Sequence, residues 1–175
     1  MKVIYRFWQF VVFLSLLTTF IGCANLPSDE KQTNLGLYLT SVEAYELVKK
    51  DGKNILFVDL RTQAELDKLG KPVLLDGRVP YKLRVKREGE EKKFKLIPND
   101  NFITAITEQV NQKGLNKQSK IILICRNGNR SAQAVNDLAK VGYEEVYTVV
   151  DGTIEGWKGN NLPWISKLKK GKTSL

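Results

Sequence analysis

The sequence predicts an α/β protein with a mainly parallel central sheet and helices on both faces of that sheet. Two short runs of bulky apolar residues, 55–60 and 121–124, are typical of strands buried on both sides. A helical pattern follows each of them, and a third apolar run occupies residues 146–150. Because strands that alternate with helices pair in parallel through right-handed crossovers, these runs predict a single sheet.

Capping signals predict where the first two helices begin. Thr40 and Glu43 have the spacing of a capping box, and so do Thr62 and Glu65, so a helix is expected after each threonine. Gly52 is expected to end the first of these helices.

The region between the second helix and the third is less regular. Residues 73–75 are apolar and are predicted to form a short strand. In residues 81–97, apolar residues alternate with cations on both sides of a glycine-containing turn. This pattern predicts a small β-hairpin insert, with a solvated charged loop as the alternative. Asp100 or Asn101 is then expected to cap a third helix.

The loop after the second buried strand is the strongest indication of function. It reads CRNGNR, from Cys125 to Arg130, and Ser131 is expected to start the following helix. Cys125 therefore lies at the carboxyl end of a strand and beneath a helix N-terminus, where α/β proteins bind ligands and where anions are stabilised. Gly128 allows the backbone to curl, so that the N–H groups of the loop converge on the sulfur.

The residues on either side of this loop favour an ionised thiol. Arg126 and Arg130 bring two positive charges close to Cys125, and nearby cations stabilise a thiolate. A buried structural cysteine is the alternative, but an inert thiol needs neither arginine. The chain contains no histidine, which excludes a Cys-His dyad, a Ser-His-Asp triad and a His-ligated metal site. A nucleophilic Cys125 must therefore be activated by the helix dipole, the backbone amides and the arginines.

The N-terminus has the pattern of a targeting signal. Lys2 and Arg6 precede a nearly uncharged apolar run that is shorter than the ~20 residues a spanning helix needs, so residues 1–22 are predicted to be a signal peptide. The run ends FIGC, which resembles the lipobox of bacterial lipoproteins, and this resemblance implies lipidation of Cys23. A non-lipidated signal and an uncleaved anchor are the alternatives. Ala24, rather than Asp, at the next position permits sorting to the outer membrane in a diderm host, and the expected location is its periplasmic face.

These signals divide the chain into four parts. After the signal peptide, residues 23–36 are predicted to be a lipidated tether, residues 37–168 the folded domain and residues 169–175 a basic tail. With Cys23 processed in this way, Cys125 is the single free thiol of the mature chain, which in an oxidising compartment suggests that its reactivity is retained.

Three segments resemble the rhodanese family of sulfurtransferases. CRNGNRS at residues 125–131 resembles the family's active-site loop, and FVDLRTQAE at residues 57–65 resembles its V-D-x-R-x-x-x-E element. Residues 142–163, GYEEVYTVVDGTIEGWKGNNLP, are similar to the family's closing segment. The resemblance spans residues 37–167 and implies a rhodanese-like fold. LGKPVLLDGRVPY and the charged insert replace the family's G-H-I-P-G-A turn, which lies near the active-site mouth.

The resemblance implies sulfur transfer in two half-reactions without a cofactor. Cys125 would take the outer sulfur of thiosulfate or a polysulfide as a persulfide, and a thiol or cyanide would then accept it. Asp59 and Arg61, at the end of a neighbouring strand, are expected to organise the site, with an ordinary ion pair as the alternative. Trp157 is expected to pack in the core. The residues expected to bind the anionic donor, chiefly through loop amides of the oxyanion-hole type, are Arg126, Asn127, Gly128, Asn129, Arg130 and Ser131.

Two other functions remain open from the sequence. A Cys-dependent phosphatase or arsenate reductase uses a similar anion cradle, but phosphatase loops run C-x5-R whereas Arg130 follows Cys125 as C-x4-R. A non-catalytic envelope module that carries sulfur or binds a partner protein is the third hypothesis. Without Lys2 and Arg6 the chain has 26 basic and 19 acidic residues, and this excess of about +7 favours anionic substrates or membrane surfaces. Nucleic-acid binding is not expected, because no stacking aromatics are interleaved with the cations.

The lipobox-like junction leads to a testable prediction. Radiolabelled fatty acid should be incorporated into the wild-type protein and should be absent from Cys23→Ala, because only the cysteine of a lipobox is acylated. Metabolic labelling followed by immunoprecipitation measures this. A wild-type protein that is freely soluble and unlabelled would contradict the lipoprotein hypothesis.

Overall fold

The computed structural model describes residues 27–166, apart from the side chains of residues 90–92. The predicted signal peptide 1–22, the lipidation site Cys23 and the basic tail 169–175 lie outside the described residues. The elements follow one another as β1 (Tyr38–Leu39), α1 (Ser41–Asp51), β2 (Ile55–Asp59), α2 (Gln63–Leu69), β3 (Lys71–Pro72), β4 (Gly77–Arg78), β5 (Lys82–Arg87), β6 (Glu90–Pro98), α3 (Phe102–Gln112), β7 (Lys120–Ile124), α4 (Asn129–Lys140), β8 (Val146–Val149), a π-helix (Gly152–Lys158) and β9 (Trp164–Ile165).

Five of these strands form one parallel sheet in the order β1-β8-β7-β2-β4. The two apolar strands β7 and β2 are central, and every residue of β2 is buried. Side chains alternate between the two faces of a strand, so each face receives an apolar layer. Helices α3 and α4 cover one layer, and α1 and the π-helix cover the other. The predicted fold class, an α/β sheet with helices on both faces, is confirmed.

Capping is as predicted at the first two helices and differs at the third. Thr40 with Glu43 and Thr62 with Glu65 form complete capping boxes. The third helix begins after Asn101, but the Asn101 side chain caps nothing.

The predicted strand at residues 73–75 is wrong, because these residues form a turn. The chain before them is held by β9, which pairs antiparallel with β3, and the Val73 amide donates to Pro163 O. The chain after them is held by β2, where Asp76 exchanges hydrogen bonds with the Phe57 backbone. Residues 73–75, which lie between these two contacts, are not part of a sheet, and Val73 is 48% exposed.

The predicted hairpin insert is confirmed. Strands β5 and β6 pair antiparallel as a separate two-stranded sheet, and Lys82 faces Pro98 in the register. Within residues 27–166, no helix has the length and apolar character needed to cross a membrane.

Trp157 of the π-helix is the largest side chain of the second apolar layer and is fully buried. Its ring stacks on Phe57 with 5.3 Å between centroids and meets Tyr45 edge-on at 5.9 Å. The indole N–H donates to Pro163 O at 3.0 Å, so the one polar atom of the ring is satisfied. Trp157 is therefore a core residue, as expected from the sequence.

Truncation of this ring should be costly. Trp157→Ala should lower the free energy of unfolding by about 3–5 kcal/mol, because it removes buried apolar area and leaves a cavity. Leu96→Ala is the control, since Leu96 is 50% exposed and its loss should change stability by only about 0.5 kcal/mol. Urea denaturation followed by circular dichroism measures both values. Equal losses in the two variants would show that Trp157 is not a core determinant.

Candidate functional site

Cys125 directly follows β7 and lies beneath the N-terminus of α4. Its side chain is fully buried, and Sγ accepts a hydrogen bond from the Gly128 amide at 3.2 Å. The Ser131 hydroxyl lies 3.6 Å from the same sulfur. Sγ therefore has one backbone N–H donor and a neighbouring hydroxyl at the positive end of a helix, a position that favours an anion.

The helix above Cys125 starts earlier than predicted. It begins at Asn129 rather than at Ser131, because Gly128 takes the N-cap position with φ +93°. The first helical bond runs from the Ala132 amide to Gly128 O. The loop is consequently short, and the Ser131 hydroxyl falls within the first helical turn, pointing back at Gly128 O and Thr148 Oγ1.

The backbone of the loop lies against the turn that follows β8. The Thr153 amide donates to the carbonyls of Cys125 and Arg126 at 2.9 and 3.1 Å. Glycines are required on both sides of this contact: a Cβ on Gly152 would lie 2.4 Å from Arg126 O, and one on Gly128 would lie 2.5 Å from Val150 O. The backbone segment after β8 therefore sets the position of the loop.

Arg130 does not present a free guanidinium to the loop. Its two terminal nitrogens donate to the two carboxylate oxygens of Glu65 at 2.9 and 2.6 Å, a bidentate ion pair. Burial would raise the pKa of Glu65, but hydrogen bonds from Arg130 and Thr62 outweigh it and lower the pKa to about 2.

The same pair perturbs the arginine. Burial would lower the pKa of Arg130, but the Glu65 carboxylate outweighs it and raises the pKa, with smaller contributions from Cys125 and Asp59. The guanidinium is thus close enough to the thiol and to Asp59 to interact with both.

The other polar side chains of the loop point elsewhere. Arg126 and Asn127 are exposed, and Arg126 contributes its carbonyl to the contact with the π-helix. Asn129 donates to the carboxylate of Glu30 at 2.6 Å, in the segment before β1. Of the six residues predicted to bind the donor, the structure groups Gly128, Arg130 and Ser131 around Cys125.

Asp59 and Arg61 form a fully buried ion pair at the end of β2. The shortest contact, Arg61 Nη2 to Asp59 Oδ2, is 2.6 Å, and the Arg61 amide and Nε also donate to this carboxylate. Arg61 Nη2 donates further to Gly70 O, and its guanidinium lies over the Trp164 ring. The ion pair that was the alternative interpretation is present, and it ties the ends of α2 to β2.

Sequence reasoning missed two contacts of the site. Glu65 was identified as a capping residue, and nothing in the local pattern indicates that it also binds Arg130. Thr148 is buried in β8 next to Ser131, and a polar residue within an otherwise apolar strand was the available signal.

Comparisons with known proteins agree with the fold. Residues 41–160 match the sequence model of the Rhodanese-like domain. The uncharacterized protein RP600 of Rickettsia prowazekii is 33% identical over 131 residues, which cover 72% of this chain and 94% of that protein. The thiosulfate sulfurtransferase GlpE of Tolumonas auensis is 39% identical over 44 residues, 25% of this chain and 41% of that protein.

A solved structure has the same architecture. Rv0390 from M. tuberculosis superimposes with a TM-score of 0.54 at 26% identity, covering 73% of this chain and 96% of that chain. The family match and the relatives support a function of the sulfurtransferase kind. With its parallel sheet, its cysteine loop and a family match over most of its length, the chain belongs to the family of Rhodanese-like domain proteins.

Proposed function

We propose that the protein is a sulfurtransferase in which Cys125 carries the transferred sulfur as a persulfide. The observation that carries this proposal is the position of Cys125 Sγ, which accepts a hydrogen bond from the Gly128 amide at the N-terminus of α4. The Gly128 N–H and the helix N-terminus are fixed dipoles, and such dipoles stabilise charge on the sulfur without reorganising during the reaction.

The reaction balances without a cofactor. The Cys125 thiolate attacks the outer sulfur of thiosulfate, the S–S bond of the donor breaks, and sulfite leaves with the bonding electron pair. A thiol or cyanide then attacks the outer sulfur of the persulfide, and the thiolate is released. A polysulfide serves as donor in the same way, with a shorter polysulfide as the leaving group.

In this mechanism the ion pair between Arg130 and Glu65 controls how readily an anionic donor binds to the Arg130 guanidinium. The bidentate edge of Arg130 is occupied by Glu65, so an anionic donor competes with the carboxylate for the same guanidinium. Arg126 is exposed beside the loop and supplies long-range attraction for the donor. Asp59 and Arg61, whose buried ion pair fixes the end of β2, act as positioning residues for the site.

Two alternative functions would use the same cysteine. A Cys-dependent phosphatase would need a wider cradle than the C-x4-R spacing of Cys125 and Arg130 provides. A sulfur carrier or binding module without turnover would use the same cysteine, and only activity measurements separate it from an enzyme.

The proposed location is the cell envelope. The apolar run before Cys23 supports export, and the FIGC junction supports a lipid anchor at the periplasmic face of the outer membrane. A small anionic sulfur donor and a thiol acceptor are the proposed partners there.

The sulfur and phosphate hypotheses make opposite predictions. Thiosulfate or polysulfide should add one sulfur atom to the protein, and cyanide or a small thiol should remove it, as measured by intact-mass spectrometry. Cys125→Ser should prevent the addition, and aryl phosphates should be hydrolysed no faster by the wild type than by this variant. Cys125-dependent phosphate release without a persulfide would establish the phosphatase instead. A folded protein with a reactive thiol and neither activity would leave the carrier or binding module.

The proposed competition between Glu65 and an anionic reagent for the Arg130 guanidinium can be tested without measuring sulfur transfer. In a Cys23→Ala background, Cys125 is the only thiol, and its alkylation by iodoacetate (anionic) and iodoacetamide (neutral) can be compared. Glu65→Gln should raise the iodoacetate-to-iodoacetamide rate ratio about fivefold, equal to about 1 kcal/mol, because it frees the guanidinium. Glutamine still satisfies the capping box with Thr62, so the helix start should be preserved.

Three variants control this measurement. Asp67→Asn removes the same charge from the same helix at an exposed position that does not contact Arg130, and it should leave the ratio unchanged. Arg130→Ala should lower the ratio, and Arg130→Lys should restore part of it, since an ammonium lacks the guanidinium fork. A ratio that is the same in Glu65→Gln and in Asp67→Asn would refute the competition.

A further inference from the structure

The hairpin of β5 and β6 is not used by the proposed sulfur chemistry. Its strands pack mainly on each other, and the hairpin is joined to the domain at its base. There the Asn99 side chain donates to Pro80 O and the Tyr81 hydroxyl donates to Asp137 of α4. The hairpin therefore projects as a separate two-stranded ribbon.

One face of this ribbon combines cations with exposed apolar side chains. Cross-strand pairing places Arg84 beside Leu96 and Lys86 beside Phe94. Phe94 is 41% exposed and Leu96 is 50% exposed, although both are large apolar residues. We call this surface the hairpin face, and it consists of Lys82, Arg84, Lys86, Phe94, Leu96 and Pro98.

The charges of the hairpin face have a single sign. Three of its six residues are cations and none is acidic, whereas the acidic residues of the hairpin are at positions 88, 90 and 91 near the turn. The Arg84 guanidinium lies 3.5 Å from the centroid of the Phe94 ring. This contact places a cation directly beside an aromatic ring. The same combination occurs in segments that lie at the boundary between lipid headgroups and acyl chains.

The chain that leads towards the N-terminus reaches the domain next to the hairpin base. The Asn34 amide donates to Asn136, and the Tyr81 hydroxyl at the hairpin base donates to Asp137, the following residue of α4. Pro27, the first described residue, follows Cys23 by only four residues, which span at most about 14 Å. A membrane anchor within residues 1–23 would therefore keep the domain, with its hairpin, within reach of that membrane.

We propose that the hairpin face docks on an anionic lipid surface, with the cations at the headgroups and Phe94 and Leu96 at the acyl boundary. Charge complementarity supports this occupant, because anionic headgroups match a face with no carboxylate. The proposed anchor within residues 1–23 is consistent with it, because that anchor would keep the hairpin face within reach of such a surface. The proposal does not depend on the sulfur chemistry, and it orients the domain on the membrane through a second contact.

Hydrogen exchange of the full-length protein in lipid vesicles tests the proposal. Either an acyl chain at Cys23 or the apolar run 7–22 would retain the full-length chain on vesicles, so the experiment does not depend on processing. Amides of residues 82–98 should exchange more slowly in vesicles of phosphatidylglycerol and phosphatidylcholine than in vesicles of phosphatidylcholine alone. Mass spectrometry of peptic fragments locates the protection.

Two double variants should remove this protection by different routes. Arg84→Gln with Lys86→Gln should weaken docking roughly 25-fold, from the contribution of each cation near an anionic surface. Phe94→Ser with Leu96→Ser should remove the apolar part and should also abolish protection. Lys50→Gln with Lys53→Gln, exposed cations near the end of α1, is the charge-matched control and should leave protection intact.

Three results would overturn the proposal. These are equal exchange in anionic and neutral vesicles, equal protection in the Arg84/Lys86 variant and in its control, and protection by soluble polyglutamate in neutral detergent that matches protection by anionic vesicles. The last result would assign the hairpin face to an acidic polypeptide.

Discussion

The backbone of the Cys125 loop lies in direct contact with the backbone that follows β8, and the geometry of the site depends on this contact. Neither side tolerates a Cβ, so Gly128 and Gly152 are needed together although they belong to separate segments. The contact is held from the opposite face of the sheet as well, because Asp151 accepts from the amide and the hydroxyl of Ser41 at the start of α1. The position of one sulfur thus depends on helices of both layers.

The charges near Cys125 come from a permanently ionised pair, Arg130 with Glu65, and not from a base that titrates near neutral pH. Arg130 forms a bidentate ion pair with Glu65, and Cys125 and Asp59 contribute smaller electrostatic attractions that also raise its pKa. The low pKa of Glu65 and the raised pKa of Arg130 keep their pair ionised throughout the neutral range. Since the chain has no histidine, the electrostatic environment of the thiol should vary little near neutral pH.

Features that depend on neighbouring residues could be predicted, and features that depend on distant ones could not. The buried strands, both capping boxes and the hairpin follow from local periodicity and spacing, and Gly128 was identified from its place in the loop. The turn at residues 73–75 escaped prediction because β9, far along the chain, holds the preceding strand. The pairing of Glu65 with Arg130 was missed for the same reason, whereas the start of α4 at Asn129 was missed because Gly128 was not recognised as its N-cap.

The contact between the loop and the turn after β8 has a consequence for the order of assembly. Cys125 is synthesised before β8 and the π-helix, which supply the amide that binds its carbonyl. Until those residues join the sheet, the loop lacks its native partners and the thiol is open to solvent. Cys125 therefore leaves the ribosome before the residues that hold its loop, so the thiol of a nascent chain lacks the burial that the completed domain gives it.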